Sequence, residues 1–200
     1  MMKIVGIYLA AGKSRRTGPG LHKLYLPTGN TLLGNKALHT SLSSNLSDVI
    51  VVSNQPSWLL HYTQVERVHI LSCEKSCLGQ SYSLHCGLEK AESMNADGVV
   101  VMLADQPFIT VKLLNSLIDS YEHLPQLDYV AASFQGIPQP PILFSKGIFP
   151  SLKKLKGDRG ARSIFFDRSF QGKITAYSDA KLFYDVDTIE DYNVIKNSLL

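Results

Sequence analysis

Four cations unaccompanied by any acid follow the first apolar run. Lys13, Arg15, Arg16 and Lys23 belong to the stretch that opens with Leu9-Ala10-Ala11-Gly12-Lys13-Ser14-Arg15-Arg16-Thr17-Gly18. Small residues let a backbone approach a ligand closely, its free N–H groups can cradle phosphate, and the cations balance phosphate charge. A bland tight turn explains Gly12 and Gly18 but not the gathered charge. Gly12-Lys13-Ser14 imitates a P-loop, yet the glycine needed five positions earlier is Ile7, and G-x-G-x-x-G is missing as well. The loop is therefore expected to bind phosphate while belonging to neither common class. A second chemical feature is Asp105-Gln106-Pro107, placed directly after the apolar run Val99 to Ala104. An acid where a buried strand emerges can hold Mg²⁺, which commonly takes one or two protein carboxylates and fills its octahedron with water and substrate phosphates. Pro107 would fix the turn that aims Asp105 over the sheet edge. The plain alternative is an aspartate hydrogen-bonded to its own loop.

These loops need elements to hold them. Residues 3–9, 48–53, 67–71 and 98–104 are short, apolar and β-branched, as strands buried on both faces are. Helices are expected near 32–44 and 80–95, and from the N-cap Thr110 to about His123. Further strands are expected at 128–134, 141–144, 173–177 and 182–185, with a helix near 159–168. A last helix follows the cap Thr188, with Asp191 three residues on, close to a capping box. Such alternation predicts a parallel sheet with helices on both faces. Ligands then sit beyond the carboxyl ends of the strands, which nominates the loops after Leu9, Leu103 and Tyr184.

Composition narrows the function classes. The 200 residues are 44% hydrophobic and 18% charged, a globular balance expected to form one domain. No apolar run approaches the ~20 residues of a membrane helix. Lys3 followed by Ile4 to Gly12 imitates the core of a secretion signal, but Lys13-Ser14-Arg15-Arg16 is a poor cleavage neighbourhood and a buried strand explains the run. The expected location is the cytoplasm. Net charge is only +3, but residues 1–47 carry six Lys or Arg and no acid, which leaves −3 for the rest. A second basic stretch, Lys146 to Lys173, holds eight Lys or Arg against Asp158 and Asp167. Two cationic segments suggest anionic ligands, whereas nucleic acid is not expected without a long basic run interleaved with aromatics. Cys73, Cys77 and Cys86 lack zinc-site spacing and are expected to be reduced thiols.

Taken in order, the motifs resemble the nucleotidyltransferases related to molybdenum cofactor cytidylyltransferase. Leu9-Ala10-Ala11-Gly12-x-Ser14-x-Arg16 and Lys23-Leu24-Tyr25-Leu26-Pro27 resemble the family signature. Gly79-x-x-x-Ser83-Leu84-x-x-Gly87 is similar to its base-side segment, and Leu103-Ala104-Asp105-Gln106-Pro107 to its metal segment. Leu155-x-Gly157-Asp158-Arg159-Gly160-Ala161-Arg162 and Asp185-Val186-Asp187-Thr188-Ile189-Glu190-Asp191 resemble its C-terminal blocks. The sequence departs from the family at Thr17, where methionine is usual, and near Gln139, where a glycine is expected. It also places Pro19-Gly20-Leu21-His22 between Gly18 and Lys23, longer than the family spacing.

The resemblance implies a single-domain, Rossmann-like α/β fold of the nucleotide-diphospho-sugar transferase type. It implies Mg²⁺-dependent transfer of CMP from CTP to molybdenum-loaded molybdopterin, serving a client molybdoenzyme. Catalytic roles would fall to Arg16, Lys23 and Asp105. Nucleotide binding would fall to Leu9, Ala10, Ala11, Gly12, Lys13, Ser14, Arg15, Arg16, Lys23, Gly79, Ser81, Ser83 and Asp105. Gln106, Pro107, Pro141, Asp158 and Arg159 would face the acceptor. Asp105 would hold the metal with Asp187, or Asp185, whose bland roles are capping and turn formation. Ala11 replaces the glycine usual in guanylyl-transferring relatives and favours CTP over GTP, although a methylene-sized difference discriminates by only ~1–3 kcal/mol. Two readings compete. One is a cytidylyltransferase for a polyol or sugar phosphate, whose acidic loop usually reads His-Asp-x-x-Arg-Pro. The other is a non-catalytic cofactor carrier, with Lys153, Lys154 and Lys156 as a docking patch.

Overall fold

The alternating faces of the first strand set the architecture. In a computed structural model, which describes residues 2–12, 14–17, 22–157 and 161–198, β1 (Ile4–Leu9) sends Ile4 and Tyr8 into one core and Val5 and Ile7 into another. A strand buried on both faces belongs in the middle of a sheet. Accordingly β1 pairs in parallel with β4 (Asp48–Val52) on one side and β6 (Gly98–Leu103) on the other. Outside β4 lies the parallel β5 (Val68–Leu71). Beyond β6 the direction reverses in β8 (Ile137–Ser145), which also pairs antiparallel with β7 (Tyr129–Phe134). The strand β9 (Gly172–Ala176) ends the sheet parallel to β7. The order is thus β5-β4-β1-β6-β8-β7-β9, seven strands, mostly parallel. A separate two-stranded ribbon joins β2 (Pro27–Thr28) to β3 (Thr31–Leu32).

Helices cover both faces. Leu38 of α1 (Leu33–Leu42) and Leu114, Leu117 and Ile118 of α3 (Val111–His123) fill the core beneath Tyr8 and Met102. Leu84, Leu88 and Ala91 of α2 (Gln80–Ser93), with Phe149 and Leu152 of α4 (Phe149–Leu152), fill the opposite one. Removing one such leucine side chain typically costs ~2–5 kcal/mol, so these contacts hold the strand ends in register. Thr110 caps α3 by accepting the Leu113 N–H at 3.2 Å. Thr188 and Asp191 form a reciprocal capping box at the start of α5 (Ile189–Ile195).

Three expectations are corrected. Residues 182–185 do not form a strand: Ala180–Phe183 is a 3₁₀ turn, started by Asp179, whose side chain accepts from Lys181 N–H. The helix expected near 159–168 is, among the described residues, a 3₁₀ segment, Ala161–Phe166. Cys73 and Cys86 are not free thiols but a disulfide, with Cα atoms 6.3 Å apart. Burial of Cys73 and the inward turn of α2 bring together two residues whose linear spacing gave no hint of pairing. Cys77 is free and exposed.

Candidate active site

The loops after Leu9, Leu103 and Tyr184 meet at the carboxyl end of the parallel strands. Register places Leu9 beside Leu103, and Ala104 N–H donates to Leu9 C=O at 3.1 Å. The loop after β1 and the aspartate loop therefore leave the sheet side by side. Val186 N–H donates to Asp105 C=O at 2.9 Å, which ties the C-terminal acidic segment to the same place. Asp187 is fixed further because its N–H donates to Asp191 Oδ2 at 3.0 Å, so the helix cap also orients the site. Capping and site formation, separate possibilities for this segment in the sequence, are one arrangement.

Between these loops lies a cavity of about 490 Å³, within the size range of small-molecule clefts. Leu9, Ala10, Ala11, Gly12 and Ser14 form one wall, and Leu103, Ala104, Asp105 and Asp187 another. A Cβ added at Gly12 would meet nothing within 4 Å, so the backbone there borders open space. Ser14 adopts φ 47° and turns the chain so that its Oγ accepts Lys23 N–H at 3.3 Å.

The charged groups converge. Lys23 Nζ donates to Asp105 Oδ2 at 2.6 Å and to Asp187 Oδ1 at 3.0 Å, so the longer spacing before Lys23 does not keep it from the site. Arg16 Nη2 reaches the same Asp187 oxygen at 2.9 Å. The Lys23 side chain is only 12% exposed and the Arg16 side chain 71%. Lysine is thus embedded in the site, while arginine is free to follow a ligand. Burial works against the Lys23 ammonium, but the Asp105 and Asp187 carboxylates outweigh it and hold its pKa above the ordinary lysine value. Behind them Asp185 is pushed up to about 6, first by burial and then by the charge of Asp105. The Gln106 carboxamide beside it makes no hydrogen bond of good geometry, and Asp185 Oδ1 is likewise unpartnered.

One ammonium bridges Asp105 and Asp187, so an oxygen of each is directed at a common point. Two hard carboxylate oxygens with the loop after β1 opposite suit a divalent cation that completes its shell with substrate and water. Among the described residues no cluster of three or more His, Cys, Asp or Glu is assembled for a metal, so a closed all-protein site is not present there.

Gly79 and the first turn of α2 form the far wall. Gly79, at φ 130°, precedes α2, and a Cβ there would stand 2.3 Å from the Gly157 carbonyl carbon. Only glycine allows that approach. Ser83 is buried and borders the cavity on the same helix as Gly87. Ser81 does not border it: its Oγ donates to Gly157 C=O at 2.8 Å, and the hydroxyl is spent on joining two chain segments. The expected acceptor residues are also drawn inward. Gln106, Pro107 and Pro141 are all buried and outside the cavity lining, because the turn after β6 folds beneath the site and Pro141 lies within β8. Lys13, Asp158 and Arg159 lie outside the described residues, and Arg15 opens the 3₁₀ turn Arg15–Thr17. Sequence reasoning missed His22 and Leu24, and the rim residues Ser76, Cys77, Leu78 and Gln80. Leu78, 57% exposed although apolar and directly before Gly79, carried the one available signal.

Comparison with known proteins decides the family. Residues 6–172 match the model of the MobA-like NTP transferase domain. The chain belongs to that family. The chain is a nucleotidyltransferase, and the MobA-like match contains every cavity residue above except Asp187. The purine catabolism protein PucB of Bacillus subtilis is 37% identical, with 98% of this chain and 97% of that one covered. A molybdenum cofactor guanylyltransferase of Desulfosudis oleivorans is 27% identical, over 61% of this chain and 56% of that one. The MobA-like fold is shared with Rv0371c of Mycobacterium tuberculosis, at 24% identity, TM-score 0.82 and 98% coverage of both chains. A second Rv0371c structure, described as a complex with manganese, superposes with TM-score 0.79 over 98% of this chain and all of that one. No helix among the described residues is long and apolar enough to cross a membrane.

Proposed function

We propose that this MobA-like nucleotidyltransferase uses Mg²⁺ and transfers CMP from CTP to the phosphate of molybdenum-loaded molybdopterin. The products are molybdopterin cytosine dinucleotide and pyrophosphate, for maturation of a molybdoenzyme such as a xanthine dehydrogenase. The observation that carries this reading is the convergence of Lys23, Asp105 and Asp187 opposite the loop after β1. The similarity to the purine catabolism protein PucB supports a purine-oxidising client. Ala11 supports CTP over GTP, and the guanylyltransferase relative makes GTP the competitor to test.

The acceptor phosphate oxygen forms a bond to the α-phosphorus of CTP while the bond to the bridging β-phosphate oxygen breaks and pyrophosphate departs. Backbone N–H groups at Gly12 and Ser14 hold the triphosphate, with Lys13 and Arg15 assisting from the same loop. Arg16 and Lys23 neutralise charge on the α-phosphate and on the departing pyrophosphate. Asp105 and Asp187 would hold the Mg²⁺, which would supply charge neutralisation when bound. Gly79 and Ser83 face the base. Alignment and charge neutralisation provide most of the acceleration, as little covalent chemistry falls to the protein.

Thermal shift tests the nucleotide. CTP with Mg²⁺ at about 100 times its Kd should add ~2.7 kcal/mol, more than GTP does. Pyrophosphate release on addition of molybdenum-loaded molybdopterin tests the acceptor. Release with methylerythritol phosphate in its place would transfer the assignment to a polyol phosphate, and CTP binding without any release would favour a carrier.

A further inference from the structure

The excursion between Gly12 and Lys23 is closed at its neck by one side chain. His22 Nε2 stands 3.1 Å from Gly12 C=O, at the start of the excursion. Its Nδ1 accepts Leu24 N–H at 3.4 Å, capping the 3₁₀ turn Lys23–Tyr25 that carries the site lysine. These bonds fix the tautomer: Nδ1 accepts, so Nε2 bears the proton and donates to the carbonyl. The ring meets Tyr25 edge-on at 5.6 Å, and Tyr25 is held in turn by Ser57 and by Gln55 C=O. Burial and the adjacent Lys23 charge keep the His22 pKa below its ordinary value, so the neutral ring this geometry requires is the form favoured at neutral pH. His22 also borders the cavity.

We propose that His22 is a positioning residue for nucleotidyl transfer, a clasp that holds the Gly12 backbone and the Lys23 turn at a fixed separation. It acts on the two groups that grip the triphosphate from opposite sides. The Nε2–H bond restrains the carbonyl of Gly12 and with it the Gly12 side of the cavity. The Nδ1 bond sets where the lysine stem begins. Lys23 Nζ lies 2.6 Å from Asp105 and 3.0 Å from Asp187, so a shift in the start of its turn is carried directly to the site. The clasp accounts for how this chain keeps Lys23 in reach across a longer excursion. It rests on the reading of the cavity as a triphosphate site.

The two nitrogens can be tested apart, because an Asn amide oxygen takes the place of Nδ1 and a Gln amide nitrogen that of Nε2. The measurements are the Kd of CTP by calorimetry, the maximal rate of pyrophosphate release and the melting temperature, on the full chain. His22→Ala should weaken CTP about tenfold, since loss of one or two positioning bonds has roughly that size. His22→Gln should return the Kd to within about threefold of wild type while the maximal rate stays low, because the Lys23 turn is uncapped. His22→Asn should show the reverse, a weak Kd with a largely restored rate. Equal effects of Asn and Gln that follow the melting temperature would reduce His22 to a structural residue. An Ala variant with unchanged Kd and rate would also end the proposal. If wild type itself binds neither CTP nor GTP, the triphosphate reading falls first and the clasp with it.

Discussion

Arg16, Lys23, Asp105 and Asp187 turn charged groups toward the cavity, whereas Gln106, Pro107 and Pro141, on the side expected to meet the acceptor, are buried. Asp105 and Gln106 are sequence neighbours with opposite fates. One carboxylate is held at the cavity by an ammonium, and one carboxamide lies beneath it with neither polar atom partnered. The charged side is therefore preorganised by its own ion pairs, whose groups already stand where a charged ligand would need them. Gln106, Pro107 and Pro141 are scaffold in this conformation, whereas Asp158 and Arg159 lie outside the described residues.

The largest effect should come from the charged half. Asp105→Asn should lower pyrophosphate release on the order of 10³-fold with an unchanged circular dichroism spectrum, because a group aimed at developing charge is lost while the fold is not. A near-native rate would remove the site from this cavity. Lys23→Met should cost about 10²-fold in rate and should also tighten Mn²⁺ binding measured by electron paramagnetic resonance without nucleotide. The ammonium holds the same two carboxylate oxygens a cation would need. Unchanged Mn²⁺ affinity would mean that Asp105 and Asp187 are not the ligands.

Two closely packed positions should answer in stability: Gly79 in the cavity wall and Gln106 beneath it. Gly79→Ala places a methyl against Gly157 backbone at a positive φ, and should cost about 1–3 kcal/mol in urea unfolding. Gln106→Leu should leave the acceptor KM within about twofold and shift the melting temperature, since an unpartnered buried carboxamide is itself unfavourable. A large rise in acceptor KM would return Gln106 to the substrate.

The smallest effect concerns Asp185. Its folded pKa, about 6, lies above the ordinary aspartate value, so the folded protein retains a proton that the unfolded chain releases. Stability from this group is greatest below the unfolded pKa and declines as pH rises to the folded one. Asp185→Asn should therefore melt higher than wild type near pH 7.5, with the gap narrowing toward about pH 4.5. A gap independent of pH would place the effect in packing.

Much of this arrangement was legible in the residues. Acid-free cations after an apolar strand and the acid where β6 ends both marked loops that border the cavity. Both signals are local, because a strand end and the loop after it are consecutive in the chain. The Thr188–Asp191 cap was readable for the same reason. The buried fate of Gln106 and Pro141 was not, since nothing in a short motif states which side of a turn faces the core. Ser81 is a similar case: its hydroxyl is taken by Gly157, a residue 76 positions away.

The sequence by itself determined the strand runs of the parallel core, the cations of the first loop and the candidate aspartates, because periodicity and residue type act over neighbouring positions. Tertiary structure alone decided that one ammonium bridges Asp105 and Asp187, that Cys73 joins Cys86, and that His22 closes the loop neck. Those facts depend on distances between parts of the chain that become fixed only when the sheet and its helices pack.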